Sequence, residues 1–231
     1  MNFWMILGFF AQAVFSIRFI VQWIAGESTD GSVLTILLTV ALIASSILIW
    51  EKVLKNRLIP KRWAVVKKHR IYRSGRIAAR LVRRTLASHK IKVIVDLTGN
   101  NPRNPSQVAE KAAAAQLGIE LQRFTLRGSG TGDVNLYAEA VAAVILAEKQ
   151  GRPVLIHCAA GVQRTGGVIA FYRLLVDKIP PEMVLAELMK NGFNPKRNRK
   201  LLPYINKNFL RVATILHEKG LIEKIPQFDC I

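Results

Sequence analysis

Apolar and polar positions fall into two regimes along the chain. From Trp4 to Ala25 nearly every position is apolar, with Gln12, Arg18 and Gln22 the main exceptions. From Ser32 to Trp50 the run carries no charge at all. Each run is close to the roughly 20 residues a helix needs to cross a bilayer. The polar turn Gly26-Glu27-Ser28-Thr29-Asp30-Gly31 joins them, which predicts a transmembrane helical hairpin over residues 1–50. A cleaved secretory leader fits less well, because Met1 to Phe10 has no basic side chain and a second apolar run follows. Beyond residue 50 short β-branched runs alternate with helical spacing. Ile71 to Gly75, Lys92 to Leu97, Glu120 to Leu126 and Pro153 to Ile156 read as strands. Arg76 to His89, an Ala-rich stretch with Ser106 as its cap, Val134 to Lys149, and stretches near 165–177, 181–191 and 200–218 read as helices. The loop from Thr98 to Pro105 is rich in Asn and Pro, and the one from Arg127 to Asp133 is rich in Gly. Strands alternating with helices predict an α/β domain with a central sheet flanked by helices over residues 71–231, and residues 51–70 read as its linker.

Charge adds orientation to this picture. Residues 1–50 hold one basic side chain, Arg18, and two acids, Glu27 and Asp30, whereas residues 51–231 hold 33 basic and 13 acidic ones. Eleven of those basic residues lie between Glu51 and Arg80, directly after the second apolar run. The positive-inside rule then places both termini and the α/β domain in the cytoplasm. A basic segment at that point is drawn to anionic lipid headgroups, at about 1 kcal/mol per close basic residue. The same charge would suit nucleic acid, but the membrane runs make such a partner unexpected. Arg18 inside an apolar run either snorkels or serves a function. Only two cysteines occur, Cys158 and Cys230, so no disulfide framework is indicated, and a free thiol suits a reducing compartment. The oligomeric state is not legible.

Candidate chemistry centres on Val154-Leu155-Ile156-His157-Cys158-Ala159-Ala160-Gly161-Val162-Gln163-Arg164-Thr165-Gly166. A buried strand ends in a cysteine, and a helical pattern follows. A helix N-terminus offers free N–H groups to an anion. The residues Ala159, Ala160, Gly161, Val162 and Gln163 can wrap those groups around a tetrahedral oxyanion, and Arg164 adds a planar two-pronged clamp. A thiol in that field ionises below its ordinary value of about 8.5. These are the parts of nucleophilic phosphoryl transfer: Cys158 attacks, the loop and Arg164 hold the equatorial oxygens, and Gly161 permits the turn. Thr165 can donate to the sulfur, and His157 orients the loop and tunes the thiol. No metal or other cofactor is called for, and His and Cys are too scattered for a zinc cluster.

This loop resembles the His-Cys-x5-Arg-Ser/Thr signature of the cysteine-dependent protein tyrosine and dual-specificity phosphatases, through His157, Cys158, Gly161, Arg164 and Thr165. Tyr72-Arg73-Ser74-Gly75, Val95-Asp96-Leu97, Asn194-Pro195 and Leu201-Leu202-Pro203-Tyr204 extend the similarity over residues 65–215. The resemblance implies a dual-specificity-phosphatase-like sheet and hydrolysis through a phosphocysteine. It also implies a general acid, an aspartate on a loop about thirty residues before the cysteine. That place here is Leu126 to Gly128. The nearest loop carboxylate is Asp133, which the Gly-rich stretch could swing inward or which could simply cap the next helix. Gly8, Gln12, Phe15, Arg18-Phe19, Gln22-Trp23 and Glu27 look like the N-terminal membrane module of lipid-A-disaccharide synthase, which hints at a bacterial inner membrane.

The loop interior, Ala159 to Gln163, has no Lys or Arg, unlike inositol-lipid phosphatases of this superfamily. Phosphorylated lipids and phosphoproteins both remain as substrates. Proximity to the bilayer favours a lipid phosphate. A non-catalytic membrane adaptor that binds phosphorylated partners is the rival from another class. The basic run Pro195-Lys196-Arg197-Asn198-Arg199-Lys200 is expected either at the mouth of the site or as a solvated loop.

Overall fold

A computed structural model describes residues 15–16, 31–50, 58–226 and 231 of the chain. The chain divides into two compact units, Met1–Lys55 and Asn56–Ile231. In the first, helix α1 spans Gly31–Ile49 and coincides with the second apolar run. Its apolar side chains are largely exposed, Leu37 to 62%, Val40 to 59% and Leu48 to 59%. The Ser45 hydroxyl donates back to the Leu42 carbonyl, which satisfies a polar group locally on an apolar helix. Among the described residues no helix is long and apolar enough to cross a membrane. The first expected run, Trp4 to Ala25, lies outside the described residues except for Phe15 and Ser16, so the expected hairpin is not shown.

The second unit is built on five strands: β1 (Ala64–Lys67), β2 (Ile71–Gly75), β3 (Val93–Asp96), β4 (Glu120–Arg123) and β5 (Val154–Cys158). Their order is β1-β2-β5-β3-β4. β1 lies within the stretch read as linker. Its residues Ala64-Val65-Val66 are apolar, and it pairs antiparallel with β2 across a turn in which His69 takes φ 60°. The other four strands are parallel, with β5 at the centre, and every residue of β5 is buried. That is why its run reads as continuous rather than alternating. The register brings Gly75 beside Cys158 and both Ser74 and Asp96 beside His157. The carboxyl ends of the central strands therefore meet at the cysteine, the edge where open α/β sheets bind ligands.

Two helical layers cover the sheet. Tyr72, Ile94 and Leu155 face one core together with α2 (Ala79–Ser88) and α3 (Pro105–Leu117). Val93, Val95, Val154 and Ile156 face the larger core with α4 (Val134–Lys149), α5 (Gln163–Leu175), α6 (Pro181–Lys190) and α7 (Leu201–Glu218). The cap of α3 is Asn104 rather than Ser106. Its side chain accepts from the N–H of Ser106 and of Gln107, and Pro105 occupies the first helical position, which needs no donor. The expected strand from Glu120 to Leu126 stops at Arg123, although Phe124 N–H still donates to the Asp96 carbonyl.

Candidate active site

Cys158 ends β5 and is 2% exposed. The chain then turns through Ala159 to Val162 into α5, which begins at Gln163, two residues before the expected helical stretch near 165–177. Gly161 sits at φ 74°, and a Cβ there would lie 2.5 Å from the Gly75 nitrogen and 2.6 Å from the Ser74 carbonyl carbon. Both the backbone angle and the close approach of β2 demand glycine.

Three consecutive carbonyls of the loop are held outward. The Arg76 N–H donates to the Ala159 carbonyl (3.3 Å), the Arg62 guanidinium to that of Ala160 (3.0 Å) and the Arg73 guanidinium to that of Gly161 (2.9 Å). A trans peptide points its N–H opposite its carbonyl, so the N–H groups of Ala160, Gly161 and Val162 turn the other way. The Gly161 N–H reaches the sulfur, at 3.2 Å. Gln163 and Arg164 open α5, where first-turn N–H groups have no intrahelical acceptor. The loop is thus a ring of donors around Sγ. Arg164 donates from Nη1 to the Leu97 carbonyl at the end of β3 (3.2 Å), while its Nε is buried without a partner. That pose leaves donors of the guanidinium for an oxyanion.

The thiol's ionisation is a contest. Burial pushes it up. The neighbouring Thr165 hydroxyl and N–H, the Arg164 charge and the Gly161 N–H outweigh burial and bring it below its ordinary value. The Thr165 hydroxyl is itself buried with no hydrogen-bond partner. Beneath the loop His157 is fully buried, its Nε2 3.0 Å from one Glu110 carboxylate oxygen and 4.0 Å from Asp96 Oδ1. Burial would lower its pKa, but Glu110 and then Asp96 and Cys158 raise it to about 9. Asp96 is held in turn by Arg123 Nε (2.9 Å) and by the N–H and hydroxyl of Thr98 (2.9 and 2.7 Å). Asp96, Glu110 and His157 each place one donor atom within 4.8 Å of the others, as metal ligands could. Arg123 and a protonated His157 balance the two carboxylates, while the other ring nitrogen of His157, Nδ1, is buried without a partner.

Asp133 does cap α4, its Oδ1 accepting from the Asn135 N–H at 2.7 Å, and it is exposed. Its loop does not swing freely. The Tyr137 hydroxyl donates to the Gly130 carbonyl (2.6 Å) and the Tyr204 hydroxyl to that of Gly132 (3.1 Å). A Cβ at Gly130 would lie 3.1 Å from Gln163 Cβ, so the loop abuts the N-terminus of α5. Gly192, three residues before the basic run Pro195 to Lys200, lies beside the signature loop. A Cβ at Gly192 would be 3.0 Å from Arg62 Nε and 3.7 Å from Val162. Glu110, Arg62, Arg73, Tyr137 and Tyr204 were not picked out as parts of this site from sequence, although the Tyr72-Arg73-Ser74-Gly75 and Leu202-Pro203-Tyr204 segments marked two of their positions.

A family model described as DSP-PTPase phosphatase fused to NAD+ kinase matches residues 44–200, and one described as lipid A biosynthesis N-terminal domain matches residues 7–58. No curated protein matches the chain in sequence. Among solved structures the chain is similar to TpbA of P. aeruginosa, at 19% identity and TM-score 0.56, covering 68% of this chain and 91% of that one. It is similar to the core catalytic domain of the PP-IP phosphatase SIW14 from S. cerevisiae, at 21% identity and TM-score 0.55, covering 71% and 96%. A third likeness is to PTPMT1, at 16% identity and TM-score 0.53, covering 68% and 99%. At these identities the likeness is one of fold.

Proposed function

The chain belongs to the family of DSP-PTPase phosphatases fused to NAD+ kinase and is a cysteine-dependent phosphatase of phosphate monoesters, and we propose that it works at a membrane on a lipid phosphate. The observation that carries the chemistry is the lowered thiol at the centre of a donor ring. The Cys158 thiolate attacks phosphorus, an S–P bond forms and the ester P–O bond breaks. Loop N–H groups and Arg164 stabilise the charge spread over the equatorial oxygens. Asp133, whose Oδ2 is not used by the cap, gives a proton to the leaving oxygen. Water then cleaves the phosphocysteine, and Thr165 donates to the departing sulfur.

Three features support the membrane and lipid reading: two apolar runs, a basic segment directly after the second, and the match of residues 7–58 to a lipid A biosynthesis N-terminal domain. On this reading residues 1–50 anchor the chain in a bacterial inner membrane, and the basic segment lies on anionic headgroups with the phosphatase domain in the cytoplasm. The test is phosphate release by the full chain in detergent over lipid phosphates and phosphopeptides. A lipid phosphate should give the highest kcat/KM, and Cys158→Ser should bind but not turn over. Preference for phosphopeptides would replace the lipid reading, and binding without turnover by the wild type would leave an adaptor.

A further inference from the structure

The signature loop has no cation between Cys158 and Arg164, yet the fold surrounds its outer shoulder with four. Arg62 donates to the Ala160 carbonyl from 98 residues away. Its own backbone takes φ 48°, a left-handed angle unusual for a residue with a side chain. Gly192, at φ 91°, has no Cβ to crowd Arg62 Nε. Lys61 is drawn onto the same shoulder, since its carbonyl accepts the Gly75 N–H (2.7 Å). A Cβ at Gly75 would stand 3.0 Å from the Ala160 backbone and 3.1 Å from Lys61 Cδ. Glycine at 75 therefore lets the lysine stem and the loop meet. Arg76 is tied to Ala159 by its N–H, and its Nε is buried with no partner. Beneath them Arg73 is 1% exposed, with Nε and Nη1 unpartnered.

Among the described residues none of these four forms an ion pair. Like charges gathered on one shoulder repel one another; Glu187 and Cys158 offset this at Arg73, and an anion among Lys61, Arg62 and Arg76 would offset it there. The phosphate above Cys158 is already served by Arg164 and the loop N–H groups. We infer that Lys61, Arg62 and Arg76, with Arg73 beneath, form a second anion site, which takes a further phosphate or phosphodiester of the same substrate molecule. Ala160 is two residues from Cys158, and consecutive Cα atoms are about 3.8 Å apart, so the Ala160 Cα lies within about 7.6 Å of the Cys158 Cα. A guanidinium matches the paired oxygens of either group. The inference rests on the phosphatase chemistry of the first site but not on the lipid reading.

The experiment measures kcat/KM of the full chain in neutral detergent on two substrate pairs. The soluble pair is glycerol 3-phosphate and glycerol 1,3-bisphosphate. The lipid pair is phosphatidic acid and a phosphatidylglycerol with a terminal phosphate. The wild type should prefer the doubly anionic member at least tenfold in one or both pairs, mainly through KM. Arg62→Gln should cut that preference at least fivefold, Lys61→Gln should cut it less, and Arg62→Lys should retain most of it. Preference in the soluble pair alone would support the site and overturn the lipid reading. No preference in either pair would overturn the site. Equal loss on both members in Arg62→Gln, with Lys61→Gln unchanged, would also overturn it and leave Arg62 as a prop for Ala160.

Discussion

At the scale of the residue, two charges decide what Cys158 can do. Arg164 presents a planar fork, and lysine at 164 offers a point charge that cannot take two oxygens or keep the bond to the Leu97 carbonyl in the same pose. Arg164→Lys should lower kcat by about 100-fold, the scale of losing one transition-state donor. An unchanged kcat in steady-state assays would make Arg164 structural. His157 is the second charge. Its native pKa of about 9 stands above the unfolded value of roughly 6.5, so its contribution to stability is full below pH 6.5 and is lost as pH rises through 9. The urea midpoint of the wild type should therefore fall across that window. Glu110→Gln removes the nearer carboxylate that holds the proton, and burial should then draw the His157 pKa down. The pH dependence of stability should flatten. The sulfur also loses part of a neighbouring positive charge, so the midpoint of iodoacetamide inactivation against pH should move up. If that midpoint stays in place, Glu110 affects packing alone.

At the scale of the element, the segment from Arg127 through α4 has two tasks to separate. Asp133 caps α4, and the loop before it is pinned by Tyr137 and Tyr204 against the start of α5. Asparagine keeps an oxygen for the Asn135 N–H but cannot give a proton, and it is as good a cap as aspartate. Asp133→Asn should thus leave the thermal midpoint nearly unchanged. It should slow an alkyl phosphate strongly and an activated aryl phosphate much less, because a poor leaving group needs the proton most. Equal rates on both, relative to wild type, would reduce Asp133 to a cap. β1 shows a different lesson. Its four residues were indistinguishable from a basic linker, because Lys61, Arg62, Lys67 and Lys68 surround a short apolar run, and only pairing with β2 makes it a strand.

At the scale of the whole molecule, charge and hydropathy are segregated along the chain: residues 1–50 are nearly uncharged, and residues 51–231 carry 33 basic against 13 acidic side chains. Under the positive-inside rule a reporter fused after Ile231 should behave as cytoplasmic and one inserted at Thr29 as external. The reverse pattern in alkaline-phosphatase and fluorescent-protein fusions would overturn the proposed orientation.

The nucleophile, clamp and turn of the site are local, and for that reason they are legible in the chain. A buried run ending in Cys158, glycine at 161 and Arg164 in register already define a strand, a turn and a helix start. The α/β alternation is legible for the same reason, since period and capping act over a few residues. Tertiary structure alone decides what surrounds the loop. Glu110 reaches His157 across 47 positions, Arg73 reaches Gly161 across 88 and Arg62 reaches Ala160 across 98. Nothing in the spacing of Lys61, Arg62 or Glu110 distinguishes them from solvated surface charge. They become part of the site because parallel pairing of β2, β5 and β3 sets the carboxyl ends of the three strands side by side, and a charge so placed acts through distance in space rather than along the chain.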